Sequence, residues 1–478
     1  MAKSAPLVWS PYQQAIFSDV QNGTGNTVVI ARAGASKTTS LVECVKYIPK
    51  KKKSLFIAFN KAIAVELEER INKSYIEVRT LHSFGCRVVM SAFGKVKIDP
   101  NKTYNLSQAV LEENGLKRYE KKKFDLAQSI CNTVNLCKSS LIDIPSKIDI
   151  LIDQYDIDTL ELDRDDFIKI VCQVLRKCKD ERACIDFSDM IHYPYIFNMN
   201  IPKYDRVFLD EGQDMSPAQL HIALSACKKD GRFLAVADDR QVLYSFAGVD
   251  INSVDILVKK LNAKILPLPI SYRCAKSIVK LAQTIVPDIQ SAPNAKDGSV
   301  RSISEDIFLS LVKPGDFILS RVNAPLIYYC MELIHNKVRA NILGKDVSQG
   351  LIYMIKKSEA KTIDEFLVWL GKWKKEEIKR LEDKNRDPIL VLDKANCLEN
   401  LCRGMKSLDQ VKNNVKELFN DEDRGNIVRL ASIHKSKGLE AKRVFILMNT
   451  LRRDMSQSEL NIEYVGYTRA MDELYLVR

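Results

Sequence analysis

Short apolar strands alternate with amphipathic helices along most of this sequence. The segment "NTVVIARAG" predicts a buried strand that enters a loop, and "KTTSLVECVKYI" predicts the helix that follows it. The segments "KSLFIAFN", "YDRVFLDEGQD" and "GRFLAVADD" predict further strands, and a similar set recurs in "GDFILSR", "NIVRLASIH" and "AKRVFILMN". Strands that are each followed by a helix indicate a parallel, doubly wound sheet. We therefore predict an α/β fold with two α/β domains.

Two stretches interrupt this alternation with helical, charged sequence, from about residue 95 to 190 and from about residue 346 to 425. We interpret them as helical insertions, one within each α/β domain. The first domain is then predicted at 1–95 and 191–270, around an insertion at 96–190. The second is predicted at 271–345 and 426–478, around a small insertion at 346–425.

Composition narrows the class of protein. An excess of Lys and Arg over Asp and Glu gives a net charge of +12 and a pI near 9.0, which suits a polyanionic partner. The twelve cysteines include no C-x-x-C pair, so we interpret them as reduced thiols rather than metal ligands. The start of the chain lacks the apolar stretch of a signal peptide, and no apolar run is long enough to span a bilayer. We expect a cytoplasmic protein that has no membrane partner.

The segment "ARAGASKTT" at 31–39 has the lysine and threonine of a phosphate-binding loop but not its usual glycines. The pattern G-x-x-x-x-G-K-[ST] requires glycine where this chain has Ala31 and Ser36. In a strand-loop-helix context, backbone amides would face the phosphates, Lys37 would reach the outer phosphates, and Thr38 would hold magnesium. The alternative is a coincidental Lys-Thr pair at the start of a helix. The segment alone leaves both interpretations open.

The segment "VFLDEGQD" ends a predicted strand with two adjacent acids. Such a pair can divide two tasks, with Asp210 holding a metal through water and Glu211 activating the attacking water. The alternative is an acid pair that caps a helix after a strand. The following Gln213 and Asp214 favour the catalytic interpretation.

These segments belong to an ordered series that resembles the motifs of superfamily 1A DNA helicases, the family of UvrD, Rep and PcrA. In family order, the series is "WSPYQQAI", "ARAGASKTT", "AFNKAIAVEL", "VRTLHSFG", "DFSDMI", "LDEGQD", "VADDRQVLYSFAG", "ISYRCAKSI", "SRVNAPL", "ASIHKSKGLEAKRVFI" and "EYVGYTRAMDELYL". It covers nearly the whole length and is sparsest in the two helical insertions. The resemblance implies two RecA-like P-loop NTPase domains, each a parallel sheet that carries a helical insertion.

The resemblance also implies the roles of individual residues. It makes Gln13 the reader of adenine, Gln241 a γ-phosphate sensor, and Arg273 and Arg469 arginine fingers. The implied ATP-binding residues are Gln13, Ala33, Gly34, Ala35, Ser36, Lys37, Thr38, Thr39 and Glu440, the implied catalytic residues are Lys37, Asp210, Glu211, Gln241, Arg273 and Arg469, and Thr38 and Asp210 would hold Mg²⁺. The implied nucleic-acid contacts are Asn60, Thr80, His82, Phe84, Tyr244, Phe246, Arg321 and His434. For Phe84, a place in the core competes evenly with base stacking.

The activity that this resemblance implies is an ATP-dependent DNA helicase and translocase that moves 3′ to 5′ on single-stranded DNA. ATP and Mg²⁺ would be the cofactors, with ATP between the two α/β domains. The implied partners of a monomeric chain are single-stranded DNA, duplex–single-strand junctions and loading proteins of replication or repair.

Two other functions stay open. The second insertion, of about 80 residues, is much shorter than the accessory subdomain of well-known family members, which favours a translocase that displaces proteins or remodels recombination intermediates with weak unwinding. The altered phosphate loop suggests a nucleic-acid-binding module that does not hydrolyse ATP. We expect an active site, because its polar groups would be costly to bury without a use. Ser36 must then adopt a conformation that glycine reaches more easily, at a cost of about 1 kcal/mol.

Overall fold

The computed structural model of the chain describes residues 8–49, 52–58, 61–71, 74–116, 123–155, 157–160, 162–243, 252–383, 387–419, 426–452 and 456–478. Of the predicted contact residues, Asn60, Tyr244 and Phe246 lie outside these ranges. Contacts divide the chain into two compact units. The first unit comprises Met1–Ala31 and Ser36–Leu268, and the second comprises Arg32–Ala35 and Pro269–Arg478.

The first unit is built on a parallel sheet. Its strands are β1 (Thr27–Ala31), β2 (Ser54–Ala58), β3 (Ile76–Thr80), β4 (Lys97–Ile98), β5 (Cys184–Ile185), β6 (Tyr204–Leu209), β7 (Cys227–Ala237) and β8 (Lys264–Leu268). Strands β4 and β5 pair only with each other, and the other strands form one sheet in the order β3-β2-β6-β7-β1-β8. Every pairing is parallel, so the carboxyl ends of these strands meet at one edge.

Helices cover this sheet and form the first insertion. They are α1 (Pro11–Asn22), α2 (Lys37–Cys44), α3 (Lys61–Ile71), α4 (Leu81–Phe93), α5 (Lys102–Glu113), α6 (Lys123–Ser140), α7 (Pro145–Gln154), α8 (Arg164–Asp180), α9 (Phe187–Ile196), α10 (Pro217–Ser225) and α11 (Ser253–Leu261). Local sequence explains where several of them begin. Helix α1 starts with a reciprocal cap between Ser10 and Gln13, with Pro11 in its first turn.

The first insertion has an apolar core of its own. Helix α8 buries Phe167, Val171, Val174 and Cys178, a spacing that lines one helical face. These side chains pack with apolar residues of α5, α6 and α7 in a cluster distinct from the core beneath the sheet. The insertion can therefore bury its apolar surface without the sheet.

A buried ionic cluster joins the insertion to α9. Lys102 Nζ lies 2.8 Å from Asp189 Oδ2, and Lys138 Nζ lies 2.7 Å from Asp189 Oδ1 and 3.3 Å from Asp186 Oδ2. Lys102 also donates to the Tyr193 hydroxyl at 2.7 Å. Burial alone would lower the pKa of Lys138, but the neighbouring carboxylates outweigh it and raise that pKa. The segment "DFSDMI" thus supplies two carboxylates that compensate two buried lysines.

Loss of one of these lysines should destabilise the first unit strongly. We expect Lys138→Met to lower the free energy of unfolding by about 3 to 5 kcal/mol, because it leaves buried carboxylate charge without one of its partners. Urea unfolding followed by circular dichroism measures this change. Lys169→Met is the matched control, because Lys169 is exposed on α8 and solvent screens its ion pair with Asp166. A Lys138→Met variant as stable as the control would contradict a structural role for the cluster.

The second unit has a parallel sheet as well. Its strands are β9 (Ile270–Ser271), β10 (Gln290–Ser291), β11 (Ser299–Ile303), β12 (Phe317–Ser320), β13 (Ala340–Ile342), β14 (Val428–Ser432), β15 (Ala441–Leu447) and β16 (Ala470–Val477). Strands β9 and β10 pair with each other, and the remaining strands form a sheet in the order β11-β16-β15-β12-β14-β13. Its helices are α12 (Lys276–Ala282), α13 (Glu305–Leu311), α14 (Ala324–His335), α15 (Lys345–Lys357), α16 (Ile363–Glu382), α17 (Ile389–Cys402), α18 (Leu408–Leu418) and α19 (Gln457–Tyr467).

The second insertion, α15–α18, shares its core with the sheet that carries it. One apolar cluster contains Ile318 of β12 and Leu326 of α14 together with Phe366, Leu398 and Val415 of the insertion. This arrangement differs from that of the first insertion. The helices α15–α18 and the second sheet therefore stabilise each other.

The two parallel sheets confirm the predicted α/β fold class. Both helical stretches are present, as α5–α8 and α15–α18, whereas the predicted domain bounds stay a prediction. Among the helices of the described ranges, none is both long and apolar enough to cross a bilayer.

Candidate active site

The phosphate loop leaves β1 and enters α2 with two residues in the left-handed region. Gly34 has φ 72°, and Ser36, which precedes the lysine, has φ 57° and ψ 42°. Ala33 and Ala35 are buried, and Thr39 lies in the first turn of α2. The glycine-like conformation predicted for Ser36 is confirmed. Because non-glycine residues adopt it at a cost of about 1 to 2 kcal/mol, this loop carries strain at Ser36.

Lys37 faces the two acids that follow β6. Its Nζ lies 2.7 Å from Glu211 Oε2, and both side chains are mostly buried. Burial would lower the pKa of Lys37, but the charges of Glu211, Asp238 and Asp210 outweigh it and raise that pKa. Lys37 therefore stays protonated and is bound to Glu211.

Asp210 pairs with the threonine of the loop. Thr38 Oγ1 donates to Asp210 Oδ2 at 3.2 Å. Burial is the largest cause that raises the pKa of Asp210, to about 6, and the adjacent charge of Glu211 acts in the same direction. The charge of Lys37 acts to lower this pKa. A hydroxyl and a carboxylate are ligands that Mg²⁺ prefers, so Thr38 and Asp210 would fit this metal.

A hydrogen-bonded chain of polar side chains extends this cluster along the strand ends. Gln213 Nε2 donates to Glu211 Oε2 at 2.5 Å, and the backbone N–H of Asp238 donates to Gln213 Oε1 at 3.1 Å. Gln241, the predicted phosphate sensor, donates to Asp238 Oδ2 at 2.7 Å. Asp238 had no predicted role, although an acid directly after a buried strand was a usable signal.

Gln13 is fixed in the first turn of α1. Its Oε1 accepts from the backbone N–H of Ser10 at 3.0 Å, and its Nε2 donates to Ser40 Oγ of α2 at 3.0 Å. The side chain is thus held between α1 and the helix that follows the phosphate loop. Its role as a reader of adenine stays a prediction.

The second unit brings together two other predicted residues. The Arg273 guanidinium forms an ion pair with Glu440, and its Nη1 donates to the carbonyl of Thr468 at 3.4 Å. Arg469 is buried, and it donates to the carbonyls of Val465 at 3.1 Å and Leu439 at 3.2 Å. Both arginines are therefore held in fixed positions within this unit. Their assignment as arginine fingers stays a prediction.

The predicted nucleic-acid residues of the first unit differ in accessibility. Thr80 accepts from the backbone N–H of Ser83 and so caps α4, and His82 is half-buried, which lowers its pKa. The ring of His82 meets the edge of Phe187 at 6.3 Å between centroids, and Phe187 is 54% exposed. Phe187 lies in the segment "DFSDMI" and had no predicted role. Asp186, the residue before it, faces the buried Lys138.

The predicted nucleic-acid contact of Phe84 is wrong. Phe84 was predicted as a nucleic-acid contact with a competing place in the core, and its side chain is fully buried. It packs with Leu81, Val88 and Ile191 in the cluster beneath the first sheet. A ring without exposed surface cannot stack on a base, so the core interpretation holds.

Arg321 and His434 lie together just beyond β12 and β14. Glu459 accepts from Nε and Nη2 of Arg321, at 2.9 Å for Nη2 with Oε1, and no described residue accepts from Nη1. Burial, and next the positive charge of Arg321, lower the pKa of His434 to about 4. His434 is therefore neutral near pH 7.

Two models of known protein families match the parts of the chain that contain these strands, the phosphate loop and the acids. The model of the UvrD/REP helicase N-terminal domain matches residues 12–261, and that of the UvrD-like helicase C-terminal domain matches residues 428–477. The chain belongs to the UvrD/Rep helicase family. This membership confirms the resemblance drawn from the ordered motifs. It also agrees with the two parallel sheets.

Proteins named as DNA helicases are similar to this chain at low identity. ATP-dependent DNA helicase PcrA of Bacillus subtilis is 24% identical over 304 residues, which cover 58% of this chain and 39% of PcrA. ATP-dependent DNA helicase Rep of Buchnera aphidicola is 21% identical, over 56% of this chain and 44% of Rep. F-box DNA helicase protein 1 of Schizosaccharomyces pombe is 23% identical, over 97% of this chain and 57% of that protein. The matches thus span about two fifths to three fifths of these relatives.

Proposed function

We propose that this chain is an ATP-dependent DNA translocase and helicase that moves 3′ to 5′ on single-stranded DNA. One observation carries the proposal: five predicted site residues lie together at one edge of the first sheet. They are Lys37, Thr38, Asp210, Glu211 and Gln241. These residues follow β1, β6 and β7, which are neighbours in the strand order. Ligands of open α/β sheets bind beyond the carboxyl ends of the strands, so the cluster lies where a nucleotide is expected.

The contacts of these residues suggest how they divide the chemistry. Lys37 exchanges its bond to Glu211 for the β- and γ-phosphates of ATP, which releases the carboxylate to accept a proton from the attacking water. Gln241, oriented by its hydrogen bond to Asp238, would sense the γ-phosphate. Mg²⁺ held by Thr38 and Asp210 would neutralise charge on the phosphates.

Contact with a single strand is proposed on both units. The exposed ring of Phe187 beside His82 offers a stacking surface on the first unit. On the second unit, Arg321 offers a cation for the backbone beside the neutral His434. The net charge of +12 favours a polyanion, and the relatives PcrA and Rep are named ATP-dependent DNA helicases. Together these features support DNA as the substrate.

Phosphate release from ATP, measured with and without single-stranded DNA, tests the ATPase part of the proposal. We expect single-stranded DNA to stimulate release, and single-stranded RNA in parallel reports the preferred strand. Absence of hydrolysis under all conditions would favour the nucleic-acid-binding module instead.

Duplexes with a single 3′ or 5′ tail test the direction. We expect unwinding of the 3′-tailed duplex, because the motifs resemble those of superfamily 1A DNA helicases, which move 3′ to 5′. Unwinding of the 5′-tailed duplex alone would contradict the direction. Stimulated hydrolysis without unwinding of either duplex would favour the translocase that displaces proteins or remodels recombination intermediates.

A further inference from the structure

Helix α14 of the second unit is capped by a residue far along the chain. The residue that precedes it, Asn323, makes no capping bond with its own side chain. Instead, the carboxylate of Asp393 accepts from the backbone N–H of Asn323 at 2.9 Å and from that of Ala324 at 2.7 Å. It also accepts from Asn323 Nδ2 at 3.0 Å. One buried carboxylate therefore satisfies the first donors of this helix.

Asp393 belongs to the second helical insertion. It lies in α17, and Asn400 of the same helix donates to the carbonyl of Ala324 at 3.4 Å. Apolar residues of α17 and α14 share one core, so the carboxylate is attached to a packed element rather than to a loop. Displacement of α17 would thus displace the start of α14.

The capped turn is the one that carries Arg321. The backbone N–H of Arg321 donates to Thr450 Oγ1 at 3.0 Å, and its guanidinium is held by Glu459. Three side chains therefore anchor the segment 321–324: Thr450 and Glu459 hold Arg321, and Asp393 holds Asn323 and Ala324. Of these anchors, Asp393 alone comes from the insertion.

We propose that Asp393 is a positioning residue for nucleic-acid binding, which holds the segment 321–324 in the conformation that presents Arg321 to the strand. Through this carboxylate, the second insertion controls how tightly the second unit binds DNA, and none of the hydrogen bonds described for Asp393 reaches a residue assigned to ATP. The inference rests on the proposed function, because it takes Arg321 as a contact to the backbone of single-stranded DNA.

The test compares Asp393→Ala with wild type in the full chain, by ATPase assays against increasing oligo-dT. We expect the oligo-dT concentration for half-maximal stimulation to rise about tenfold, with kcat at saturating DNA and the KM for ATP within about twofold. Fluorescence anisotropy with labelled oligo-dT should show the same loss of affinity without ATP. Asp393→Asn keeps an acceptor oxygen, and we expect it to recover part of the affinity.

Asp409→Ala is the matched control, because it removes an exposed carboxylate from the same insertion, where Asp409 pairs with Lys412 alone among the residues that the structure describes. We expect this control to bind oligo-dT as wild type does. If Asp393→Ala fails to fold, the comparison of Asp393→Asn with wild type and Asp409→Ala decides.

The outcomes separate the two proposals. Unchanged affinity in folded Asp393 variants, or equal losses of kcat and affinity, would overturn the positioning role while wild-type stimulation still supported the proposed function. Wild type that neither binds oligo-dT nor responds to it would overturn both.

Discussion

Lys37→Ala should abolish ATP turnover, whereas Ser36→Gly should leave it within about tenfold of wild type. Lys37 supplies a charge to the phosphates that no neighbouring side chain replaces. We therefore expect ATP turnover of Lys37→Ala to fall by about a thousandfold, and by no less than about a hundredfold. Ser36 contributes mainly backbone geometry at φ 57°, a conformation that glycine adopts without strain. Steady-state phosphate release in the presence of single-stranded DNA measures both variants.

The pair of neighbouring substitutions serves as its own control, since both change the same loop. Nucleotide binding should be followed in parallel with a fluorescent ATP analogue, because a failure to bind and a failure to hydrolyse have different causes. Wild type as inactive as Lys37→Ala would show that this loop does not catalyse hydrolysis. A severe loss in Ser36→Gly would assign the serine side chain a direct role.

Glu211→Gln should lose turnover by about two to four orders of magnitude while it still binds ATP. The amide cannot accept the proton of the attacking water, whereas Asp210 keeps the charge that would hold the metal. The ion pair between Lys37 and Glu211 adds an expectation about affinity. Because the variant lacks the carboxylate that competes with phosphate for Lys37, it should bind ATP at least as tightly as wild type.

Single-turnover hydrolysis and equilibrium binding of ATP separate these two effects of Glu211→Gln. The matched control is Glu69→Gln, which makes the same change at an exposed position of α3 in the same unit. The control should behave as wild type in both measurements. Turnover near the wild-type rate in Glu211→Gln would refute the role of general base.

Most inner strands of the two large sheets could be predicted from sequence, and their edge strands could not. The predicted strands β1, β2, β6 and β7 occupy the four inner positions of the first sheet, and β2 is buried throughout. The edges β3 and β8 were not predicted, because half-exposed strands lack a continuous apolar run. In the second sheet, the edges β11 and β13 and the inner strand β16 were not predicted either, although β16 is buried at its end.

Only some residues of the candidate site could be predicted from the sequence. Lys37, Thr38, Asp210 and Glu211 could be found because their chemistry depends on local sequence beside a strand end. Phe84 could not be placed, because whether its ring faces the core or solvent depends on how α4 packs on distant elements. The capping role of Asp393 could not be predicted from sequence, because its partners in the cap are 69 and 70 residues away along the chain.

The different cores of the two insertions bear on how each unit folds. The helices α5–α8 have a cluster of their own, so they can gain or lose structure as a separate cooperative block. In the second unit, β12 pairs with β14 and β15, which the ribosome adds only after α15–α18. With the insertion and the sheet in one core, neither reaches its final packing before the other. The second unit is therefore expected to acquire its structure late in synthesis and in a single step.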